Sequence, residues 1–80
     1  MYTSREILSL NLYTIRTSQG LSIEATALNC NVSTRHFGDI ERGKCNTTLD
    51  TLDKISKGVS VSVAELLTEK FKEKIHDNKK

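Results

Sequence analysis

The stretch "VSTRHFGDIERGKCN", Val32–Asn46, has the pattern of a short helix followed by a turn. Ser33 is a residue type that caps helix N-termini, and Gly43 is typical of the position just past a helix end. At about 100° per residue, Phe37 and Ile40 lie together on one side of this helix. The other side carries Thr34, Arg35, Gly38, Asp39 and Arg42. This pattern predicts a helix that is anchored by its apolar face and offers the polar face to a partner.

The composition favours one small helical domain. The chain has 80 residues, no proline, no tryptophan and few glycines, which suits an all-α fold better than a sandwich or barrel. No apolar run approaches the roughly 18 residues of a membrane span, and the N-terminus lacks the pattern of a signal peptide. We therefore interpret residues 1–80 as a single domain of a cytoplasmic protein that does not contact a membrane.

Capping residues divide the chain into five predicted helices. The predicted caps are Thr3, Ser22, Ser33, Thr48 and Ser62. "TSRE" at Thr3–Glu6 and "SVAE" at Ser62–Glu65 are capping boxes, which open the first and the fifth helix. Gly58 is expected to follow the end of the fourth. The predicted ranges are about 4–18, 23–29, 34–41 or 34–42, 49–57 and 63–76. "VSVSV", Val59–Val63, is either a short strand or an extended linker that places alternate valines in the core.

The second and third helices and the turn between them, residues 22–42, form a predicted helix-turn-helix arrangement. Ala27 faces inward, and Asn31 tolerates the left-handed backbone of a tight turn. A helix about 10–12 Å across fits the major groove of B-DNA. The capped N-terminus of the third helix also presents free amides that suit a phosphate. The polar face of that helix is therefore a candidate DNA-reading surface.

Each residue of this face has a possible role. Arg35 can donate two parallel hydrogen bonds to guanine O6 and N7, and Thr34 can contact a base or a phosphate. Asp39 either accepts from a cytosine amino group or, as we prefer, orients a neighbouring arginine. Gly38 either permits close approach to a base edge or is a tolerated surface glycine, which costs about 1 kcal/mol of helix stability against alanine.

The loop "RGKCNTT" after the third helix suits contacts to phosphate, which set position and affinity rather than sequence preference. The alternative for each of its residues is an ordinary solvated surface side chain. The candidate phosphate contacts in this loop are Arg42, Lys44, Asn46 and Thr47.

Residues 20–67 resemble the Cro/C1-type (XRE) helix-turn-helix family. The match is strongest in "DIERGK", Asp39–Lys44, and continues in "TLDTLDKISKGVSVSVAELL"; "IRTSQGLS" upstream extends it. The resemblance implies an all-α, five-helix, lambda-repressor-like domain from a prokaryote or phage, associated with the nucleoid. It further implies a transcriptional regulator that binds double-stranded DNA as a homodimer on a near-palindromic operator. Restriction–modification controller proteins and small phage or mobile-element repressors both look similar, and "ERGKCN" has the "ERG-x-x-N" pattern of the controllers.

The resemblance also assigns roles. It implies that Thr34, Arg35, Gly38 and Asp39 read bases, that Ser22 joins the phosphate contacts, and that Arg16 and Glu41 form a structural ion pair. The chain departs from the family in two places that matter here. Ile23 stands where a glutamine usually binds a phosphate, and Thr26 stands where leucine is usual, so that the core there is expected to be poorer.

The fifth predicted helix offers more apolar surface than so small a domain buries, which favours a two-fold contact with a second copy. The candidate interface residues are Val61, Val63, Leu67 and Phe71, with Ile75 as a possible extension. The alternative is that Leu66 and Phe71 cover the monomer's own core.

Two functions remain open from the sequence: a DNA-binding regulator, and a protein-interaction module that keeps the fold but has lost DNA. The net charge is only +2, with 12 basic and 10 acidic residues, which permits DNA binding without arguing for it. No catalytic residues are predicted, because no nucleophile has an evident base beside it. Cys30, His36 and Cys45 lack metal-ligand spacing, so we expect no metal. We also expect no cofactor and no small-molecule ligand, because the sequence has no Gly-rich phosphate loop and the helix-turn-helix unit leaves no room for a ligand-binding domain.

Overall fold

The structure, a computed structural model, describes residues 1–69, and its regular elements there are all α-helices. The helices are α1 (Ser4–Ser18), α2 (Ile23–Cys30), α3 (Thr34–Glu41), α4 (Leu49–Val59) and α5 (Val63–Leu66). The prediction of an all-α fold with five helices is therefore confirmed. The strand alternative for Val59–Val63 is wrong, because this stretch contains the last residue of α4, a short connection and the first residue of α5.

Each helix begins at a predicted cap. A serine or threonine side chain accepts a hydrogen bond from a backbone N–H of the first turn, which satisfies one of the amides that have no partner within the helix. The residues in this role are Thr3, Ser22, Ser33, Thr48 and Ser62. At Thr3 the box is complete, since the Glu6 side chain accepts from the Thr3 backbone in return.

Two predicted helix ends are wrong. Helix α4 does not end before Gly58 but continues through it to Val59, and Ser60 ends the helix in the left-handed conformation, with φ 61°. Helix α5 was predicted to reach residue 76, yet it ends at Leu66, and residues 67–69 are not helical. The remainder of that prediction, with Phe71 and Ile75, lies outside the described residues.

One apolar core joins the five helices. It contains residues that are at most 5% exposed: Leu8, Leu12, Ala27, Cys30, Phe37, Ile40, Leu52, Ile55, Val59 and Leu66. Helix α3 packs against α1 and α2, and α4 packs against α2 and α5. Within residues 1–69 no helix is long and apolar enough to cross a membrane. The core thus fixes α3 at the surface, with one face buried.

Gly58 allows α4 to approach α2 closely. A Cβ at this position would lie 2.6 Å from Cα and 2.8 Å from N of Cys30, and closer still to its Sγ. Because real Cβ atoms do not approach a backbone so closely, a side chain here requires the two helices to separate. The glycine that the sequence suggested as a helix end is therefore a packing residue within the helix.

Candidate nucleic-acid interface

The first turn of α3 is exposed, whereas later residues of the same helix are buried and hold it in place. Phe37 is 0% and Ile40 is 1% exposed, and the Ser33 hydroxyl accepts a hydrogen bond from the His36 backbone at 3.0 Å. Thr34 and Arg35 lie in the same turn and are exposed. The helix N-terminus carries a partial positive charge from the aligned peptide dipoles. The exposed turn is therefore well suited to a polyanion.

The turn between α2 and α3 sets the angle of the two helices. Asn31 adopts the left-handed conformation, φ 60° and ψ 40°, as the sequence predicts, and the Val32 amide donates to the Ala27 carbonyl at 3.1 Å. Ala27 is 1% exposed and belongs to the core, so it faces inward as the sequence predicts. Residues 22–42 thus form the predicted helix-turn-helix unit.

Gly38 is buried, although the sequence placed it on the exposed face of α3. The Arg42 guanidinium covers it: a Cβ built at Gly38 would lie 3.2 Å from both Nη1 and Nη2 of Arg42. Arg42 Nη2 also donates to Asp39 Oδ1 at 2.9 Å. The expected orienting role of Asp39 is therefore present, with Arg42 rather than Arg35 as its partner. Gly38 is thus covered by a side chain of the same helix end, and its role at a base edge stays a prediction.

The loop after α3 begins with a compact helix end. Gly43 has a φ of +72°, and the Lys44 amide donates to the Asp39 carbonyl at 2.9 Å. Lys44 and Asn46 are exposed, whereas Thr47 is half-buried. The fifth candidate, Ser22, is exposed at the N-cap of α2, where its hydroxyl accepts from the Ala25 amide at 3.0 Å.

Sequence reasoning missed Arg5 as part of this region. Its Nη2 donates to the Asn46 side-chain oxygen, which ties the start of α1 to the loop after α3. The two residues are 41 positions apart, and no local pattern connects them. Asn46 is therefore already held by a cation, and Arg5 adds a positive charge beside the candidate phosphate contacts.

The implied ion pair between α1 and α3 is present. Arg16 donates from Nε to Glu41 Oε1 at 2.7 Å and from Nη2 to Oε2 at 2.9 Å, and its Nη1 donates to the Leu21 carbonyl at 2.8 Å. The hydrogen bond from Glu41 raises the pKa of Arg16 above its ordinary value, against the opposing effect of burial. This two-bond pair fixes the end of α3 against α1.

The candidate dimer residues divide into two groups. Val61 and Val63 are half-buried and pack against the core, so the monomer already uses part of their apolar surface. Leu67 is 37% exposed, and it lines a shallow cavity with Leu8 and Leu52. Phe71 lies outside the described residues. Of the predicted contact surface, Leu67 is thus the clearest free apolar side chain within residues 1–69.

No group of three or more potential metal ligands comes together in the described part of the chain. Cys30 and Cys45 are both free thiols. Cys30 is buried, and its burial raises the pKa of the thiol.

A family model for helix-turn-helix domains, HTH_3, matches residues 12–66. The chain belongs to this family. Its members are DNA-binding transcription regulators rather than enzymes. The match begins within α1 and ends with the last residue of α5, so it includes the whole helix-turn-helix unit.

Three relatives illustrate the likeness. The control protein C.BamHI of Bacillus amyloliquefaciens is 41% identical over 47 residues, which make up 59% of this chain and 58% of that protein. The match thus spans less than two thirds of that relative's length. The restriction-modification controller protein C.AhdI from Aeromonas hydrophila is 29% identical, with a TM-score of 0.70, over 74% of this chain and 86% of its own. The clp gene regulator ClgR from C. glutamicum is 26% identical, with a TM-score of 0.77, over 86% and 90%.

Proposed function

We propose that the protein is a sequence-specific, homodimeric DNA-binding regulator of the controller type, which acts by occupying a near-palindromic operator. Helix α3 enters the major groove with Thr34 and Arg35 at the base edges. The observation that carries this proposal is the exposure of both residues on the first turn of a helix whose opposite face is completely buried. The helix is therefore held rigidly while its polar face remains accessible.

Contacts to phosphate would come from both sides of α3. Ser22 precedes α2, and Lys44, Asn46 and Thr47 follow α3. Arg5, which is bonded to Asn46, adds a further cation on that side. Such contacts position the protein on the duplex, and the base contacts of α3 supply its preference.

A homodimer is proposed because one helix-turn-helix unit covers only about half a site. Two copies would place their α3 helices about 34–36 Å apart, one turn of DNA. Leu67 and the partly covered Val61 and Val63 are the proposed contact. Sedimentation of the free protein should give twice the monomer mass, and Leu67→Asp should shift it toward the monomer. An unchanged mass of the Leu67→Asp variant would show that the interface lies elsewhere.

The controller role draws on C.BamHI and C.AhdI, which are named control or controller proteins. Selection of bound fragments from random duplexes should return a motif with two related half-sites. A reporter promoter that contains this motif should respond to expression of the protein. If the protein selects a motif but the reporter does not respond, DNA binding would be supported and the regulatory role would be contradicted.

The decisive comparison uses Arg35→Ala and a matched removal of charge on α4, Lys54→Ala. If Arg35 reads a guanine, its loss costs about 1–3 kcal/mol per half-site and relaxes discrimination at one base pair. Lys54→Ala should leave that discrimination unchanged. Failure of the wild-type protein to bind any duplex near about 50 mM salt would instead favour a protein-interaction module, because electrostatic affinity is greatest at low salt.

A further inference from the structure

The Arg42 guanidinium lies on the outer face of α3 and not beyond its end. It rests over Gly38, within 3.2 Å of where a Cβ would be. Side chains on a helix point toward its N-terminus, so Arg42 reaches back by one turn into space that any other residue at position 38 would fill. Arg35 occupies the same stripe of the helix, about one turn before Gly38 and two turns before Arg42. Positions 35 and 42 therefore lie in one line on the outer face of the helix, and both residues are exposed.

Asp39 determines what the Arg42 guanidinium can bind. Its carboxylate lies 2.9 Å from Nη2, and the Arg42 and Asp39 side chains are 51% and 35% exposed. A phosphate is attracted mainly by net charge, and this carboxylate both compensates the charge and repels a second anion. A base edge is recognised by directed hydrogen bonds, and the N–H groups of Arg42 that Asp39 does not use remain available for them.

We propose that Arg42 reads a base edge, with the two acceptors of a guanine as its target, and that Gly38 and Asp39 are the residues that position it. Arg42 is then a determinant of specificity and not the phosphate contact that the sequence indicates. Gly38 serves recognition by leaving room for the guanidinium. This inference rests on the proposed function, because it assigns a second reader within the same major-groove surface.

The test compares Arg42→Ala with Lys44→Ala, a neighbouring cation that stays assigned to phosphate. Affinity is measured for the selected duplex and its single-base-pair variants across a salt series. Arg42→Ala should weaken binding of the selected duplex by about 5- to 150-fold per half-site, and the loss should vanish on a duplex changed at one particular base pair. Lys44→Ala should weaken the binding of all duplexes equally. It should also lower the slope of log affinity against log salt concentration by about 1.

Two variants test the positioning residues without removing the arginine. Gly38→Ala displaces the guanidinium, and Asp39→Asn removes the charge but keeps the shape. Both variants should lose discrimination at the base pair that Arg42→Ala identifies. The melting temperature of Gly38→Ala should be at or above that of the wild type, and that of Asp39→Asn should lie within a few degrees of it. Asp39→Asn should also bind unrelated duplexes more tightly, because a negative charge near the phosphates is gone.

A uniform loss by Arg42→Ala over all duplexes, with a lower salt slope, would return Arg42 to a phosphate contact and overturn the inference. An unchanged affinity would overturn it as well. In both cases the proposed function stays intact if the wild-type protein still selects a motif and the Arg35→Ala variant does not. A wild-type protein without any sequence preference would remove the proposed function itself.

Discussion

Arg16 and Glu41 form a two-bond ion pair that links α1 to the last residue of α3, and their side chains are only 14% and 7% exposed. The Ser9 hydroxyl donates to the backbone carbonyl of the same Glu41. The end of α3 is therefore fixed by charge, by hydrogen bonds and by the neighbouring Ile40 in the core. A substitution that removes either side chain would leave the other charge unpaired in a site from which water is largely excluded.

Glu41→Ala should destabilise the protein by about 2–4 kcal/mol, since it leaves a mostly buried guanidinium without its carboxylate. The Leu21 carbonyl, which Arg16 also contacts, limits the loss. Chemical denaturation measures the free energy of unfolding. Asp53→Ala removes an exposed acid from α4 and should change it by no more than about 0.5 kcal/mol. Equal effects of the two variants would contradict a structural role for the pair.

Gly58→Ala and Gly38→Ala should shift stability in opposite directions, although both replace a glycine within a helix. At Gly58 the new methyl group meets the backbone of Cys30, so we expect a loss of about 1–3 kcal/mol. At Gly38 it meets only the tip of Arg42, which is half exposed and can move. The gain in helix propensity, at most about 1 kcal/mol, then dominates. Two melting curves test this prediction, and a shift of the same sign in both would contradict it.

Thr26→Val should stabilise the protein by about 1 kcal/mol. Thr26 is 1% exposed, and its hydroxyl oxygen has no hydrogen-bond partner among the described residues. An unsatisfied buried hydroxyl costs free energy that a methyl group of similar size does not. Thr26→Ser keeps the hydroxyl, removes the methyl group and should be destabilising. A loss of stability with Thr26→Val would show that the hydroxyl is satisfied in solution.

The sequence predicted those features that depend on neighbours within one turn of a helix. The five caps act between a side chain and an amide three residues ahead, and Asn31 determines a turn through its own backbone. Apolar spacing alone placed Phe37 and Ile40 in the core. These local rules therefore produced the helix-turn-helix unit and the exposed position of Arg35.

Features that depend on distant contacts were not predictable in this way. Gly58 looks like a helix end until α2 is placed against it, and Arg5 has no visible tie to Asn46. The helical wheel gave the correct face for Gly38 and Arg42, but it shows only where a side chain begins. It could not show that Arg42 folds back over Gly38, which changes the role we assign to both.

The two thiols should differ in reactivity. Cys30 is 1% exposed and its pKa is raised by burial, whereas Cys45 is half-buried. The thiolate is the reactive form, so Cys30 should react only as fast as the protein opens. Thiol labelling followed by peptide mass spectrometry should find Cys45 modified in the native protein, and Cys30 only in denaturant. Equal labelling of both thiols in the native state would show that the α2–α4 contact opens readily.

The raised pKa of Cys30 also predicts a loss of stability in alkali. In the unfolded chain the thiol ionises at about pH 8.5, while in the folded protein Cys30 keeps its proton to higher pH. The unfolded state therefore binds fewer protons above this pH, and the free energy of unfolding falls as pH rises. Cys30→Ala should be less stable at neutral pH because of the lost packing, yet decline less between about pH 8.5 and pH 10. Denaturation curves at these pH values test the difference, and parallel declines in the two proteins would exclude Cys30 as its source.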